Sequence, residues 1–221
     1  MPVIKIGKAP AKPLETQCKK PTGLFGRFTL WRMNKSHSKL TDWGLSHVAV
    51  EPAFAILDVG CGGGRTISKL AAMATAGKVH GIDYSEASVA ASRRYNAKSI
   101  QAGRVQIQPA DVARLPSPDN TFDLVTAVET HFWWPDIPAG FREIRRVLKP
   151  GGTLLLIAEV YKGADTAMSR MCEKFAPFTG MTMLTLDQHR DLLASAAFSS
   201  ITLDTLPAKG WLIARANKPP L

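Results

Sequence analysis

Phe54-Ala55-Ile56-Leu57-Asp58-Val59 is a short apolar run that stops abruptly at Gly60-Cys61-Gly62-Gly63-Gly64. A strand covered by helices on both faces is apolar along its whole length instead of alternating. Glycines directly after such a strand let the backbone turn with positive φ. They also let a ligand approach main-chain atoms that any Cβ would block. Ile67, Leu70, Ala71 and Met73 then continue at helical spacing. A strand, a tight loop and a helix in this order commit the segment to an α/β unit with a nucleotide-like ligand at the loop.

The alternation repeats. Val79 to Asp83 predicts a second strand, and Ser85, Glu86 and Ser88 open a helix that carries Val89, Ala90 and Tyr95. Further strands are expected at 105–108 and 122–128, a helix at 138–148, and a strand at 153–159 after the turn Lys149-Pro150-Gly151-Gly152. A helix at 186–197 precedes two strands, at 200–206 and 211–216, which form a closing hairpin at the sheet edge. Repeated βα units imply a doubly wound, mostly parallel sheet with helices on both faces.

Around this core, residues 1–23 place four prolines among lysines and read as a flexible basic arm. Residues 24–221 form a single domain. It comprises N-terminal helices over 24–50 with a break at Gly44, a ligand-binding core over 51–160, a lid over 161–185, and a C-terminal helix and hairpin over 186–221. The 161–185 connection is long and rich in Met and Phe, which adapt to apolar ligands.

Charge bears on partners. The chain of 221 residues carries +10, but residues 1–40 hold nine Lys or Arg against one acid, and the remainder is nearly balanced. The basic excess belongs to the terminal segment, so no stable nucleic-acid partner is expected of the body. Three cysteines without paired spacing suggest neither a disulfide framework nor a zinc site, and no metal is expected. No apolar run approaches the roughly 18 residues that span a bilayer, so a cytoplasmic protein without a membrane is the expectation.

The glycine spacing separates ligand classes. A dinucleotide loop needs G-x-G-x-x-G or A, but Arg65 and Ile67 occupy the last position in the two available registers. The loop reads D-x-G-x-G-x-G instead, which suits a ligand without a pyrophosphate and argues against an NAD-dependent oxidoreductase. Asp83 closes the second strand, where a carboxylate can accept from both ribose hydroxyls, and Tyr84 can stack on an adenine face.

Four segments together resemble the class I S-adenosylmethionine-dependent methyltransferases of the small-molecule type, a family that includes quinone-biosynthesis enzymes. They are ILDVGCGGG at 56–64, VHGIDYS at 79–85, ADVARLPSPDNTFDLV at 110–125 and REIRRVLKPGGTLLL at 142–156. The resemblance implies a Rossmann-like seven-stranded sheet of order 3-2-1-4-5-7-6 with only the seventh strand antiparallel. It implies S-adenosyl-L-methionine as cofactor and S-adenosyl-L-homocysteine as product. Asp58, Gly60, Cys61 and Gly62 would surround the methionine end, Asp83 and Tyr84 the nucleoside, and Asp111 with the backbone of Val112 the adenine edge.

Methyl transfer from a sulfonium is an in-line displacement, so the protein mainly aligns the reactants and excludes water. Candidates for the acceptor side stand after the fourth strand, in Glu129-Thr130-His131-Phe132-Trp133-Trp134. Glu129 is expected by the methionine moiety, and His131, Glu129 and Tyr161 are the candidate catalytic residues, with His131 as a base. Trp133 and Trp134 either wall the acceptor pocket or pack in the core, and Met33 and His37 would close the pocket from the other side. The acceptor is read as a small molecule. The alternatives are an RNA or protein substrate recruited by the basic arm, and a noncatalytic S-adenosylmethionine-binding protein. The chain lacks the Asn/Asp-Pro-Pro-Tyr/Phe signature of adenine or glutamine methylation and any Pro-Cys nucleophile, which weakens the nucleic-acid alternative.

Overall fold

The computed structural model describes residues 37–220. The basic arm and Met33 therefore lie outside the described residues. A helix α1 (Ser38–Leu45) leads to β1 (Ala55–Val59) and α2 (Arg65–Met73), and then to β2 (Lys78–Asp83), α3 (Glu86–Tyr95) and the short α4 (Ala97–Gln101). Next come β3 (Val105–Pro109), β4 (Phe122–Val128), a 3-10 turn (His131–Trp133), α5 (Ile137–Val147) and β5 (Leu148–Ala158). Helices α6 (Ala167–Thr179) and α7 (Leu186–Ser195) precede the hairpin of β6 (Ser199–Leu206) and β7 (Trp211–Asn217).

The strands form one sheet in the order β3-β2-β1-β4-β5-β7-β6. Neighbours from β3 to β5 are parallel, while β7 runs antiparallel to both β5 and β6. This is the expected topology, and its cause shows in the burial. Along β1, Leu57 and Val59 enter one apolar layer with Phe141, Ile144 and Leu193, whereas Ile56 enters the other with Ile67, Leu70 and Leu40. Both faces of the central strands are thus covered, by α5 and α7 on one side and by α1, α2 and α3 on the other. Each fully buried aliphatic or Phe side chain contributes about 1.5–3 kcal/mol.

Two local expectations change. Gly44 does not break α1 but sits in its last turn, because the helix packs against β5 so closely that a Cβ there would lie 2.2 Å from Ile157 Cδ1. The stretch Lys149 to Gly152 is also part of β5 and not a free turn. The register shifts there, so that Phe122 pairs with Leu148 and Leu124 with Thr153. Gly151, at φ 79°, turns the bulged backbone, and its N–H donates to Lys218 O at 2.9 Å.

Candidate functional site

The carboxyl ends of β1, β2, β4 and β5 meet at one edge, where open α/β sheets hold their ligands. The loop after β1 is pinned to β2: the amides of Gly60 and Cys61 donate to Ile82 O at 2.8 and 2.9 Å. Gly60, Gly62 and Gly64 have φ of 71°, 50° and 84°. A Cβ at Gly60 would also fall 2.2 Å from Thr130 Oγ1, so backbone conformation and space both require glycine.

The acid after β2 locks this loop. Asp83 Oδ2 accepts from the Gly62 amide at 2.9 Å and Oδ1 from the Ser85 amide at 2.8 Å. Ser85, not Asp83, caps α3, so Asp83 is not held there as a helix cap. Each Asp83 oxygen retains acceptor capacity for a ligand hydroxyl. Burial raises its pKa, while the two amides draw it back.

A small cleft opens over the loop, lined by Gly60 to Gly63, Arg65 and Thr66 on one side and by His37, Thr41, Val128 and Glu129 on the other. Helix α1 carries His37 to this place because it is clamped on α2. Lys69 Nζ donates to Ser38 O and Oγ at 3.1 and 3.0 Å and pairs with Asp42. Glu129 follows β4 at φ 57°, a left-handed conformation costly for a non-glycine residue, and its carboxylate accepts from the Glu159 amide. Burial pushes the Glu129 pKa up to about 7, and the nearby His37 charge partly offsets this.

Sequence reasoning passed over Glu159, although its place just beyond β5 on the same edge was the available signal. His37 Nε2 lies 3.5 Å from Glu159 Oε2. Burial opposes a charged imidazole, but the Glu159 bond and the charges of Glu129 and Glu159 outweigh it and raise the His37 pKa. The same bond lowers that of Glu159. Donor atoms of His37, Glu129 and Glu159 lie within 4.8 Å of one another, close enough to share one cation.

Asp58 lies beneath the cleft. Its Oδ1 accepts from Thr126 Oγ1 at 2.7 Å, and burial pushes its pKa up to about 7. Asp111 is exposed and accepts from the Ala113 amide at 2.9 Å, whereas Val112 is buried. Tyr84 is 45% exposed at the carboxyl end of β2.

His131 is not at the cleft. It is buried with Nε2 3.0 Å from His189 Nε2, and burial lowers its pKa well below the usual imidazole range. That placement corrects the expectation of a base there, since a neutral ring enclosed in the core has no path to an acceptor. Trp134 is likewise a core residue, packed edge-on against Phe141 with its indole N–H donating to Thr130 Oγ1 at 3.2 Å. Trp133 and Tyr161 pack partly buried against the same layer.

These features fit one kind of ligand. The glycine backbone, an Asp83 with acceptor capacity to spare and an acid whose burial calls for a nearby cation suit a nucleoside joined to a cationic amino-acid tail. Residues 56–152 match the methyltransferase domain family. Those residues form a class I S-adenosylmethionine-dependent methyltransferase domain. The domain's relatives include a sterol 24-C-methyltransferase of Gibberella zeae, 29% identical over 170 residues, which are 74% of this chain and 44% of that protein. The demethylmenaquinone methyltransferase of Symbiobacterium thermophilum is 41% identical over 107 residues, 48% of this chain and 43% of its own length. The chain thus spans less than half of either relative.

The methyltransferase fold recurs in a chain from the Haloferax volcanii complex of the Trm112 methyltransferase activator with a methyltransferase. The TM-score is 0.79 at 20% identity, over 89% of this chain and 95% of that one.

Proposed function

We propose that this protein transfers a methyl group from S-adenosylmethionine to a small-molecule acceptor. One observation carries the reading: the bond from the Gly62 amide to Asp83, with Glu129 facing the same cleft from β4. Asp83 would take the ribose hydroxyls, Asp111 and the Val112 backbone the adenine edge, and Tyr84 its face. Gly60, Cys61 and Gly62 would leave room for the methionine tail, with Asp58 bracing the strand beneath and Glu129 facing its ammonium group. The bound cofactor supplies an electrophilic methyl group on a sulfonium.

The acceptor side is proposed at His37, Glu129 and Glu159, with the inward-facing side of residues 161–185, not its exposed Met and Phe side chains, as its cover. His37, held by Glu159, is placed to take a proton from an acceptor hydroxyl, and the two carboxylates beside it would stabilise the imidazolium that results. Free Cys61 and Cys172 suit a reducing cytoplasm.

Thermal unfolding with S-adenosylhomocysteine beside NADH tests the reading. A ligand at about 100 times its Kd adds about 2.7 kcal/mol. Stabilisation by S-adenosylhomocysteine alone is expected, and stabilisation by NADH alone would overturn the assignment.

A further inference from the structure

Helix α6 buries one side and leaves the other open. Its N-cap Thr166 accepts from the Ser169 amide at 3.1 Å, Ser169 is fully buried, and Cys172 on the same side feels the charges of Glu129 and Glu159. The inner face of α6 therefore packs on the body, with Cys172 in electrostatic reach of the two acids beside the cleft. Met168, Met171, Phe175 and Phe178 recur at intervals of three, four and three residues, so they form one stripe along the outer face. They are 44%, 49%, 45% and 85% exposed, and four of the six large hydrophobic residues so exposed among the described residues lie on this one helix. Single exposed apolar residues are ordinary, but a contiguous stripe marks a surface that another phase or partner covers.

The charge around the stripe says what covers it. Lys162, Arg170, Lys174 and Lys209 are exposed at or beside α6, the last on the turn whose Gly210 packs against Thr166 and Ser169. Asp165 pairs with Arg170 and offsets its charge, and Glu173 accepts from the Gly163 amide at 2.7 Å, so Lys162, Lys174 and Lys209 carry the local positive edge. Lys174 Nζ lies 6.0 Å from the Phe175 ring centroid, an aromatic body with a cation at its edge. An apolar stripe edged by lysines is the pattern of a helix lying in the interface of an anionic membrane, not spanning it.

We infer that α6 docks this protein on an anionic bilayer through Met168, Met171, Phe175 and Phe178. No helix among the described residues is long and apolar enough to cross a membrane, and none is needed for this mode of attachment. Docking by the outer face of α6 brings the part of the body that holds Glu129 and Glu159, within electrostatic reach of Cys172, toward the lipid surface. An acceptor that dissolves in the bilayer would then reach the site without crossing water, a consequence that rests on the methyltransferase reading.

Co-sedimentation of the full chain with vesicles tests the inference. One set contains phosphatidylcholine alone and the other equal parts of phosphatidylcholine and phosphatidylglycerol. Binding to the mixed vesicles is expected, with little to the neutral ones, and F175S/F178S should weaken it by about tenfold or more. The stabilisation by S-adenosylhomocysteine should be the same in wild type and variant. If the double variant fails to keep that shift, M168S/M171S reads the same stripe. No binding to mixed vesicles, or binding that the serine variants leave undiminished, overturns the inference. So does a concentration-dependent dimer that those variants dissolve, because the stripe would then be an interface between copies. A wild-type chain that binds vesicles but is not stabilised by S-adenosylhomocysteine would retain α6 as a membrane helix and remove the methyltransferase reading.

Discussion

The imidazole of His37 and the carboxylate of Glu159 join the start of α1 to the end of β5 across 3.5 Å, beside the cleft and within reach of Glu129. Two carboxylates beside one imidazole favour its charged form more than burial disfavours it. NMR titration of the apo protein should place His37 above the ordinary range of an exposed histidine, and E159Q should lower it. A His37 that titrates identically in both proteins would show that the pair does not persist in solution.

The neighbouring Glu129 gives a signed pH dependence. Its folded pKa, about 7, lies above the usual carboxylate range because of burial. The folded state therefore holds a proton that the unfolded chain has released, and stability falls as pH rises from the usual carboxylate range to about 7. Ligand binding runs the opposite way, because an ammonium-bearing tail needs the ionised form. The affinity for S-adenosylhomocysteine, read by calorimetry, should tighten through neutral pH, and Glu129→Gln should flatten that dependence.

Much of this was legible because one physical signal carried it. Continuous apolar strands separated by helical spacing specify a parallel sheet covered on both faces, and the glycine loop with Asp83 locates the ligand edge. The rest depended on long-range contacts. Gly44 looks like a helix break until Ile157 is seen against it, and Lys149 to Gly152 look like a turn until Lys218 is seen bonded to Gly151. His131 and Trp134 follow β4 as acceptor-site residues would. The direction of His131 is set by His189, 58 residues further along the chain, and that of Trp134 by its packing on Phe141 in the following helix.

Glycine substitutions separate strain from space. At Gly151, φ is 79° with nothing within 4 Å of a built Cβ, so G151A should cost only about 1–2 kcal/mol of left-handed backbone strain. At Gly60 a similar φ adds a Cβ 2.2 Å from Thr130 Oγ1 and 2.7 Å from its Cβ. G60A should therefore destabilise more in urea unfolding and abolish the shift with S-adenosylhomocysteine, which G151A should retain. Equal losses in both proteins would contradict the packing at Thr130.

Asp83 joins the loop to the proposed ribose site, so its removal acts twice. Asp83→Ala leaves the Gly62 and Ser85 amides without their acceptor and removes the partner of two ligand hydroxyls. At about 1.4 kcal/mol per factor of ten, S-adenosylhomocysteine binding should weaken by more than about tenfold. Unchanged affinity by calorimetry would refute the ribose assignment.

The buried pair of His131 and His189 predicts a different loss, at acid pH. His189 Nδ1 lies 2.7 Å from Thr185 O, and a carbonyl can only accept, so that nitrogen carries the proton. The other nitrogen of a neutral His189 must then accept from His131 Nε2–H, which leaves His131 Nδ1 unprotonated, buried and without a partner. Burial lowers both pKa values, so the unfolded chain takes up protons first as pH falls. The stability from keeping this pair neutral is present above the ordinary histidine pKa, about 6.5, and is lost as pH falls below it. Urea midpoints should therefore drop between neutral and mildly acidic pH, and H131F/H189L should reduce that drop. At neutral pH, H189L alone should cost about 1–3 kcal/mol by stranding the other ring, while the double variant should cost less because no unpaired donor remains. A single variant no less stable than the double would show that the two rings do not depend on each other.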